Sequence, residues 1–107
     1  MFRDAKILVV DDEQVILNAV SRIASAEGFQ VDSDNDASSA LKKISQKEYS
    51  LILCDIMMPQ MDGFSFLDEI QKRRILTPVI MITGFSTVEN AVKSLYKGAI
   101  DFVPKPF

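Results

Sequence analysis

Two kinds of segment alternate along this chain, and they differ in the spacing of their hydrophobic residues. The first kind is a short, nearly continuous apolar run, which is typical of a parallel β-strand covered on both faces. Three such runs occupy residues 6–10, 51–54 and 79–82. Two weaker runs, at residues 29–33 and 100–103, are predicted to form the edge strands.

The second kind of segment is amphipathic, with apolar residues three or four positions apart, which predicts a helix with one buried face. The four segments of this kind are residues 13–27, 37–47, 64–74 and 87–97. In the first of them, we expect the buried face to contain Ile16, Ala19, Val20 and Ile23.

The ends of the helical segments carry capping signals. Asp36 is the predicted N-cap of the second helix. Ser86 and Glu89 have the spacing of a capping box at the start of the fourth helix. Gly28 and Gly98 are predicted to end the first and fourth helices. Strands and helices that alternate in this way predict an α/β fold, with helices on both faces of a parallel five-stranded sheet.

The composition narrows the class of protein. A chain of 107 residues, 48% hydrophobic and 25% charged, fits one globular domain. The net charge of −3 argues against a surface that binds nucleic acid directly. We find neither a signal peptide nor an apolar stretch as long as a membrane span. With one cysteine, which fits a reducing compartment, these features predict a cytoplasmic domain without membrane contact.

The absence of histidine limits the chemistry further. It excludes Ser-His-Asp and Cys-His catalysis within the chain, and any metal site built on histidine. The single cysteine, Cys54, lies inside the apolar run 51–54, so we expect a buried core thiol.

Polar residues follow four of the predicted strands directly. Asp11 and Asp12 follow the first strand, Asp55 the third, Thr83 the fourth, and Lys105 comes shortly after the fifth. Because the carboxyl ends of parallel strands share one edge of the sheet, these side chains are expected to converge on one crevice.

Each of these residues also has a structural interpretation. The Asp11 and Asp12 pair could cap the first helix, Thr83 could be a β-branched strand end, and Lys105 a surface lysine. Asp55 is harder to explain in this way, because an acid that ends a buried strand needs partners or a solvated cleft. The occurrence of polar residues at four strand ends of one sheet favours a common site.

The charges of the candidate site indicate its chemistry. Three clustered carboxylates repel one another unless a cation neutralises them, and oxygen ligands favour Mg²⁺ over Zn²⁺. An aspartate can also accept a phosphoryl group covalently. Phosphoryl transfer needs positioning and charge neutralisation, which Mg²⁺, Lys105 and Thr83 could supply to Asp55.

Four stretches of the sequence resemble the response-regulator receiver domain family of two-component signalling. They are ILVVDDE (7–13), CDIMMPQMDG (54–63), MITG (81–84) and FVPKPF (102–107). The resemblance implies a flavodoxin-like, doubly wound sheet with strand order 2-1-3-4-5. It also implies one receiver domain over residues 1–107 that stops before the usual fifth helix.

The resemblance implies a role for each candidate residue. Asp55 would become the aspartyl phosphate, and Mg²⁺ would bind to Asp12, Asp55 and the backbone carbonyl of Met57. Asp11 would act on the ion through water. Lys105 would pair with the phosphoryl group, while Thr83 and Phe102 would form a conformational switch.

Partners follow from the same resemblance. A sensor histidine kinase or a histidine phosphotransfer protein would supply the phosphoryl group, so the domain would be a signalling module and not a general enzyme. Relatives continue beyond the position of Phe107, and a missing fifth helix would expose Phe102 and Phe107 on the flank of the last strand. We therefore expect homodimers through the face of the fourth helix and fifth strand.

Three other functions share parts of this pattern. A phosphatase of the haloacid-dehalogenase type should carry a second acid two residues after the nucleophile, where this chain has Met57. A flavin or nucleotide binder should have a glycine-rich phosphate loop, whereas the four glycines are isolated. A non-phosphorylated interaction module would not need Asp11, Asp12, Asp55, Thr83 and Lys105 together.

Overall fold

The computed structural model describes residues 5–58, 61–84 and 87–105. Strands and helices alternate throughout, as the hydrophobic pattern predicts. In chain order the elements are β1 (Lys6–Val10), α1 (Gln14–Ala26), β2 (Gln30–Asp34), α2 (Ala37–Gln46), β3 (Leu51–Cys54), α3 (Gly63–Lys72), β4 (Val79–Thr83), α4 (Val88–Tyr96) and β5 (Asp101–Pro104).

The five strands form one parallel sheet in the order β2-β1-β3-β4-β5, which confirms the predicted α/β, flavodoxin-like fold class. The chain winds outward from β1 in one direction and from β3 in the other, so the order reverses between these two strands. Such a reversal leaves a crevice at the carboxyl ends of the strands. In the β1–β3 register Val10 pairs with Cys54, so the next residues, Asp11 and Asp55, lie side by side at this crevice.

Two hydrophobic clusters cover the two faces of the sheet. Alternate residues of β1 point to opposite faces, as strand geometry requires, so Leu8 and Val10 enter one cluster and Ile7 and Val9 the other. The larger cluster packs under α2 and α3, and the smaller one under α1. Helices therefore cover both faces, and Cys54 is a fully buried thiol, as predicted.

The buried face of α1 differs from the prediction at Ile23. The buried residues of this helix are Leu17, Val20 and Ala24, whereas Ile23 is 60% exposed. The stripe that faces the sheet runs through positions 17, 20 and 24, which places Ile23 at its margin. There it lines an apolar groove of about 370 Å³, together with β-strand residues that include Ile82 and Val103.

The helix caps agree with the sequence signals in part. The Asp36 side chain accepts a hydrogen bond from the Ser39 amide at 3.1 Å, which confirms this N-cap. Gly28 and Gly98 follow α1 and α4 with positive φ angles of 95° and 109°, a conformation that glycine adopts without strain.

The predicted capping box at α4 is wrong. Thr87 is the N-cap, and its hydroxyl accepts a hydrogen bond from the Asn90 amide at 3.1 Å. Thr87 has an extended backbone and a short hydroxyl side chain, so it meets the requirements of the cap one residue later than expected. Ser86 lies outside the described residues.

The expectation that Phe102 is exposed on the last strand is wrong. Phe102 is half-buried and packs against the larger cluster, while the neighbouring Val103 faces the groove beside α1. Phe107 lies outside the described residues. Among residues 5–58, 61–84 and 87–105, no helix has the length and apolar character needed to cross a bilayer.

Candidate functional site

An acidic cluster forms where β1 and β3 end. The Asp55 amide donates a hydrogen bond to the Val10 carbonyl at 3.0 Å, which continues the β1–β3 pairing into the loops. As a result, carboxylate oxygens of Asp11, Asp12, Glu13 and Asp55 all lie within 4.8 Å of one another. The three predicted aspartates are therefore brought together, and a fourth acid joins them.

The cluster is buried on one side and open on the other. Asp11 is fully buried and Asp55 is 3% exposed, whereas Asp12 and Glu13 are exposed. Burial raises the pKa of Asp11 above its ordinary value, and the nearby Asp55 carboxylate raises it further. The close contact with the Lys105 ammonium and the hydrogen bond from the Glu13 amide oppose this rise but do not cancel it.

Lys105 enters the cluster from the end of β5. Its backbone amide donates to the Thr83 carbonyl at 2.9 Å, which fixes the residue beside the end of β4. Its ammonium nitrogen lies 2.7 Å from Asp11 Oδ2, 3.0 Å from Glu13 Oε1 and 3.2 Å from Asp55 Oδ2. Lys105 is thus an internal cation, with only 9% of its side chain exposed, and the alternative interpretation as a surface lysine is wrong.

Two opposing effects act on the pKa of Lys105. Burial lowers it, because a charge is poorly solvated there. The close contacts with the Asp11 and Glu13 carboxylates and the charge of Asp55 raise it, and the net result is a pKa above the ordinary lysine value. The ammonium therefore stays charged beside the cluster at neutral pH.

The Asp11 carboxylate is only partly satisfied. Its Oδ1 accepts a hydrogen bond from the Glu13 amide at 2.9 Å. Its Oδ2 lies 2.7 Å from the Lys105 ammonium, but the direction of approach does not make a hydrogen bond, so this contact is ionic only. A buried carboxylate oxygen without a hydrogen bond, in a cluster of oxygen donors, fits a hard divalent cation such as Mg²⁺.

The loop after β3 holds Asp55 against the start of α3. The Gly63 amide donates to the Ile56 carbonyl at 2.7 Å, and a Cβ atom on Gly63 would collide with the Asp55 carbonyl and with the Met81 side chain. Glycine is therefore required where α3 begins. The Met57 amide lies 3.4 Å from Asp55 Oδ1, and the role of the Met57 carbonyl as a metal ligand stays a prediction.

Thr83 and Phe102 lie on the strands next to the cluster. Thr83 ends β4, is fully buried, and pairs with Pro104 in the sheet register. Phe102 pairs with Met81 on β4 and is half-buried. Both therefore lie on the two strands that hold Lys105, although their predicted movement stays a prediction.

Two residues of this site, Glu13 and Gly63, have no role in the prediction from sequence. Glu13 contacts Lys105 directly, and Gly63 permits the close approach of α3 to Asp55. The signal for Glu13 was its place directly after the Asp11 and Asp12 pair. The signal for Gly63 was its place after Asp62, whose side chain caps α3 by accepting from the Ser65 amide at 2.8 Å.

The family of this chain is shown by its similarity to known proteins. The sequence profile described as "Response regulator receiver domain" matches residues 7–107. The chain belongs to this family. The receiver domain is 40% identical over 103 residues to an NtrX-like response regulator of Rickettsia bellii, and 38% identical over 102 residues to the regulatory protein AtoC of Escherichia coli. It spans 22% of the length of each of these two relatives.

Solved structures show the same architecture. The receiver domain of NtrX from Brucella abortus shares 43% identity with a TM-score of 0.88, over 94% of this chain and 86% of that one. The receiver domain of the Francisella response regulator 1452 shares 34% identity with a TM-score of 0.92, over 96% of this chain and 85% of that one. The predicted fold and family are thus confirmed.

Proposed function

We propose that this receiver domain accepts a phosphoryl group from a phosphohistidine partner onto Asp55, in a reaction that depends on Mg²⁺. The observation that supports this most directly is the position of the Asp55 carboxylate. It lies at the end of a central strand, beside a second buried carboxylate and 3.2 Å from a lysine ammonium. A nucleophile, a charge-neutralising group and a cation-binding cluster therefore meet in one crevice.

The transfer step follows from the groups present. A carboxylate oxygen of Asp55 attacks phosphorus, the bond between phosphorus and the donor's imidazole nitrogen breaks, and the electron pair leaves with the imidazole. Lys105 neutralises the charge on the phosphoryl oxygens from its position beside Asp55. Asp12, Asp55 and the Met57 carbonyl would hold Mg²⁺, with Asp11 acting through water, and the ion would supply further positive charge at the same oxygens.

The switch would begin at Thr83. Its hydroxyl would move to bind the new phosphoryl group, and because Lys105 is hydrogen-bonded to the Thr83 carbonyl, the ends of β4 and β5 would shift together. Phe102, which is half-buried on β5, would change its rotamer with them. Such a change biases a two-state equilibrium and is read at the surface.

The partners in this proposal are a sensor histidine kinase or a histidine phosphotransfer protein as donor, and an output domain or protein as recipient. The relatives are themselves described as regulators, and the chain matches only a fifth of their length. We also propose that the α4–β5 face can form a homodimer. Four apolar side chains of α4 that are more than half exposed support this: Val88, Val92, Leu95 and Tyr96.

A phosphatase of the haloacid-dehalogenase type is less well supported. The position of its second acid is occupied by Met57, whose side chain is half exposed and has no titratable group. Steady turnover of a generic phosphate ester would favour the phosphatase, whereas a receiver should form a stoichiometric adduct and release phosphate slowly.

The proposal is tested with a small phosphodonor. The protein is incubated with acetyl phosphate and Mg²⁺, and the intact mass is measured. We expect one base-labile phosphoryl adduct that Asp55→Asn abolishes and EDTA prevents, while Lys105→Ala gives a weaker product. An adduct that persists in Asp55→Asn would place the acceptor elsewhere and overturn the proposal.

A further inference from the structure

Glu13 occupies the N-cap of α1 but does not use its side chain as a cap. N-cap residues usually accept a hydrogen bond from an amide in the first turn of the helix, and Ser, Thr, Asp and Asn are preferred because their side chains are short. Glu13 makes no such bond. Its carboxylate instead accepts a hydrogen bond from the Lys105 ammonium at 3.0 Å, from the other end of the chain.

The three carboxylate partners that Lys105 has among the described residues differ in exposure. The side chains of Asp11 and Asp55 are 0% and 5% exposed, whereas that of Glu13 is 59% exposed. A cation held by Asp12 and Asp55, with Asp11 acting through water, would compete with the ammonium for the two buried carboxylates and repel it from Asp11. The contact of Lys105 with Glu13, which lies at the solvent side, can then persist when the cation is bound.

The cation has little need for a further carboxylate. Mg²⁺ usually binds to one or two carboxylates and keeps several waters. The cluster already offers Asp11, Asp12 and Asp55 besides Glu13. The lysine, in contrast, loses its contact with Asp11 if the ion and its water shell occupy that carboxylate.

We propose that Glu13 is a positioning residue for Lys105: it holds the ammonium toward Asp55 while the other acids serve the cation. The inference rests on the proposed phosphoryl transfer for its purpose, although the contact itself does not. Glu13 acts through Lys105 and does not touch the reacting atoms. Its loss should therefore slow the transfer without weakening the binding of Mg²⁺ to the same degree.

Two substitutions of Glu13 separate the effect of its side-chain length from the effect of its charge. Glu13→Asp keeps the charge but shortens the side chain by one methylene, and an aspartate at this position would turn toward the helix amides and leave Lys105. Glu13→Gln removes the charge but keeps the length, and its amide oxygen can still accept from Lys105. A positioning role predicts that Asp is the more harmful substitution, whereas an effect of charge alone predicts that Gln is.

The experiment uses the full chain, with Glu27→Gln as a charge-matched control at the exposed far end of α1. The rate of phosphorylation by acetyl phosphate is measured against Mg²⁺ concentration, and the Mg²⁺ dissociation constant by calorimetry. For Glu13→Asp we expect the rate at saturating Mg²⁺ to fall about tenfold, with an affinity within about threefold of the parent. Glu13→Gln should lose less, and Glu27→Gln should match the parent.

A second readout needs neither metal nor phosphodonor. The ¹H–¹⁵N signal of the Lys105 ammonium, assigned with Lys105→Arg, should shift or broaden in metal-free Glu13→Asp and remain unchanged in Glu27→Gln. A parent protein that is never phosphorylated would refute the proposed function, while this signal would still report on Glu13.

Three results would overturn the positioning role. The first is an unchanged ammonium signal in Glu13→Asp. The second is a Glu13→Asp variant whose affinity for Mg²⁺ falls about tenfold and whose phosphorylation rate is restored in full at saturating Mg²⁺. That result would make Glu13 a metal ligand. The third is Glu13→Asp behaving like the parent while Glu13→Gln is slow, which would reduce the effect to charge.

Discussion

At the scale of single residues, the site balances buried negative charge against one lysine. Asp11 shows this most clearly, because burial is the largest cause of its raised pKa. A carboxyl group with a raised pKa in the folded state binds protons more tightly there than in the unfolded chain, so its contribution to stability is largest at low pH. That contribution is lost as the pH rises from 3.8 through the folded-state pKa.

This gives a prediction for Asp11→Asn in EDTA. The variant lacks the ionisable carboxyl group whose charged form burial disfavours. Its free energy of unfolding should therefore increase relative to that of the parent as the pH rises above 3.8. Urea unfolding at a series of pH values measures the difference, and Glu27→Gln serves as the exposed control. A difference that shrinks with rising pH would contradict the assigned cause of the shift.

Gly63 gives a second prediction at this scale. A Cβ atom there would collide with the backbone of Asp55 and Ile56, so Gly63→Ala should lower the free energy of unfolding by about 1–3 kcal/mol. Gly84→Ala is the matched control, because a Cβ atom at Gly84 meets nothing within 4 Å. Chemical denaturation of both variants decides the point, and equal effects would show that the collision is relieved at little cost.

At the scale of elements, α4 leaves an apolar face exposed. Leu95 is 51% exposed on this face. If the face mediates a homodimer, Leu95→Glu should abolish concentration-dependent association in sedimentation experiments. Leu76→Glu is the control, since Leu76 is 95% exposed between α3 and β4. Association that survives Leu95→Glu, or a parent that stays monomeric at high concentration, would contradict the proposed dimer.

The elements also show how far sequence patterns reach. The alternation of apolar runs and amphipathic segments was enough to predict every described strand and helix. A strand buried on both faces gives a continuous apolar run, whereas a helix buried on one face has apolar residues three or four positions apart. The boundaries of the helices and the residues on their buried faces were predicted less accurately. Ile23 has the spacing of a core residue, yet the direction of α1 across the sheet decides which stripe is buried, and that direction is a tertiary property.

The candidate site shows the same division. Strand ends could be predicted to converge, since parallel strands share an edge, and Asp11, Asp55 and Lys105 do meet there. The contact between Glu13 and Lys105 could not be predicted, because it depends on side-chain reach between α1 and the end of β5. Ser86 was predicted as the cap in place of Thr87 because both residues carry a hydroxyl group, and the sequence gives no local signal that distinguishes two adjacent hydroxyl residues.

At the scale of the whole molecule, a cation bound in the crevice should stabilise the fold. A ligand that binds only the native state at about 100 times its dissociation constant adds about 2.7 kcal/mol to the free energy of unfolding. We expect Mg²⁺ to raise the unfolding temperature of the parent and EDTA to reverse the effect. Asp12→Ala should lose this response, and an equal response in that variant would place the ion elsewhere.

The measurement that tests the central claim most directly is the chemical trapping of the phosphorylated residue. After reaction with acetyl phosphate and Mg²⁺, borohydride reduces an aspartyl phosphate to homoserine, and peptide mass spectrometry then locates it. The account predicts homoserine at position 55, dependent on Mg²⁺ and absent in Asp55→Asn. Homoserine at another aspartate, or none under conditions that give the adduct, would contradict it.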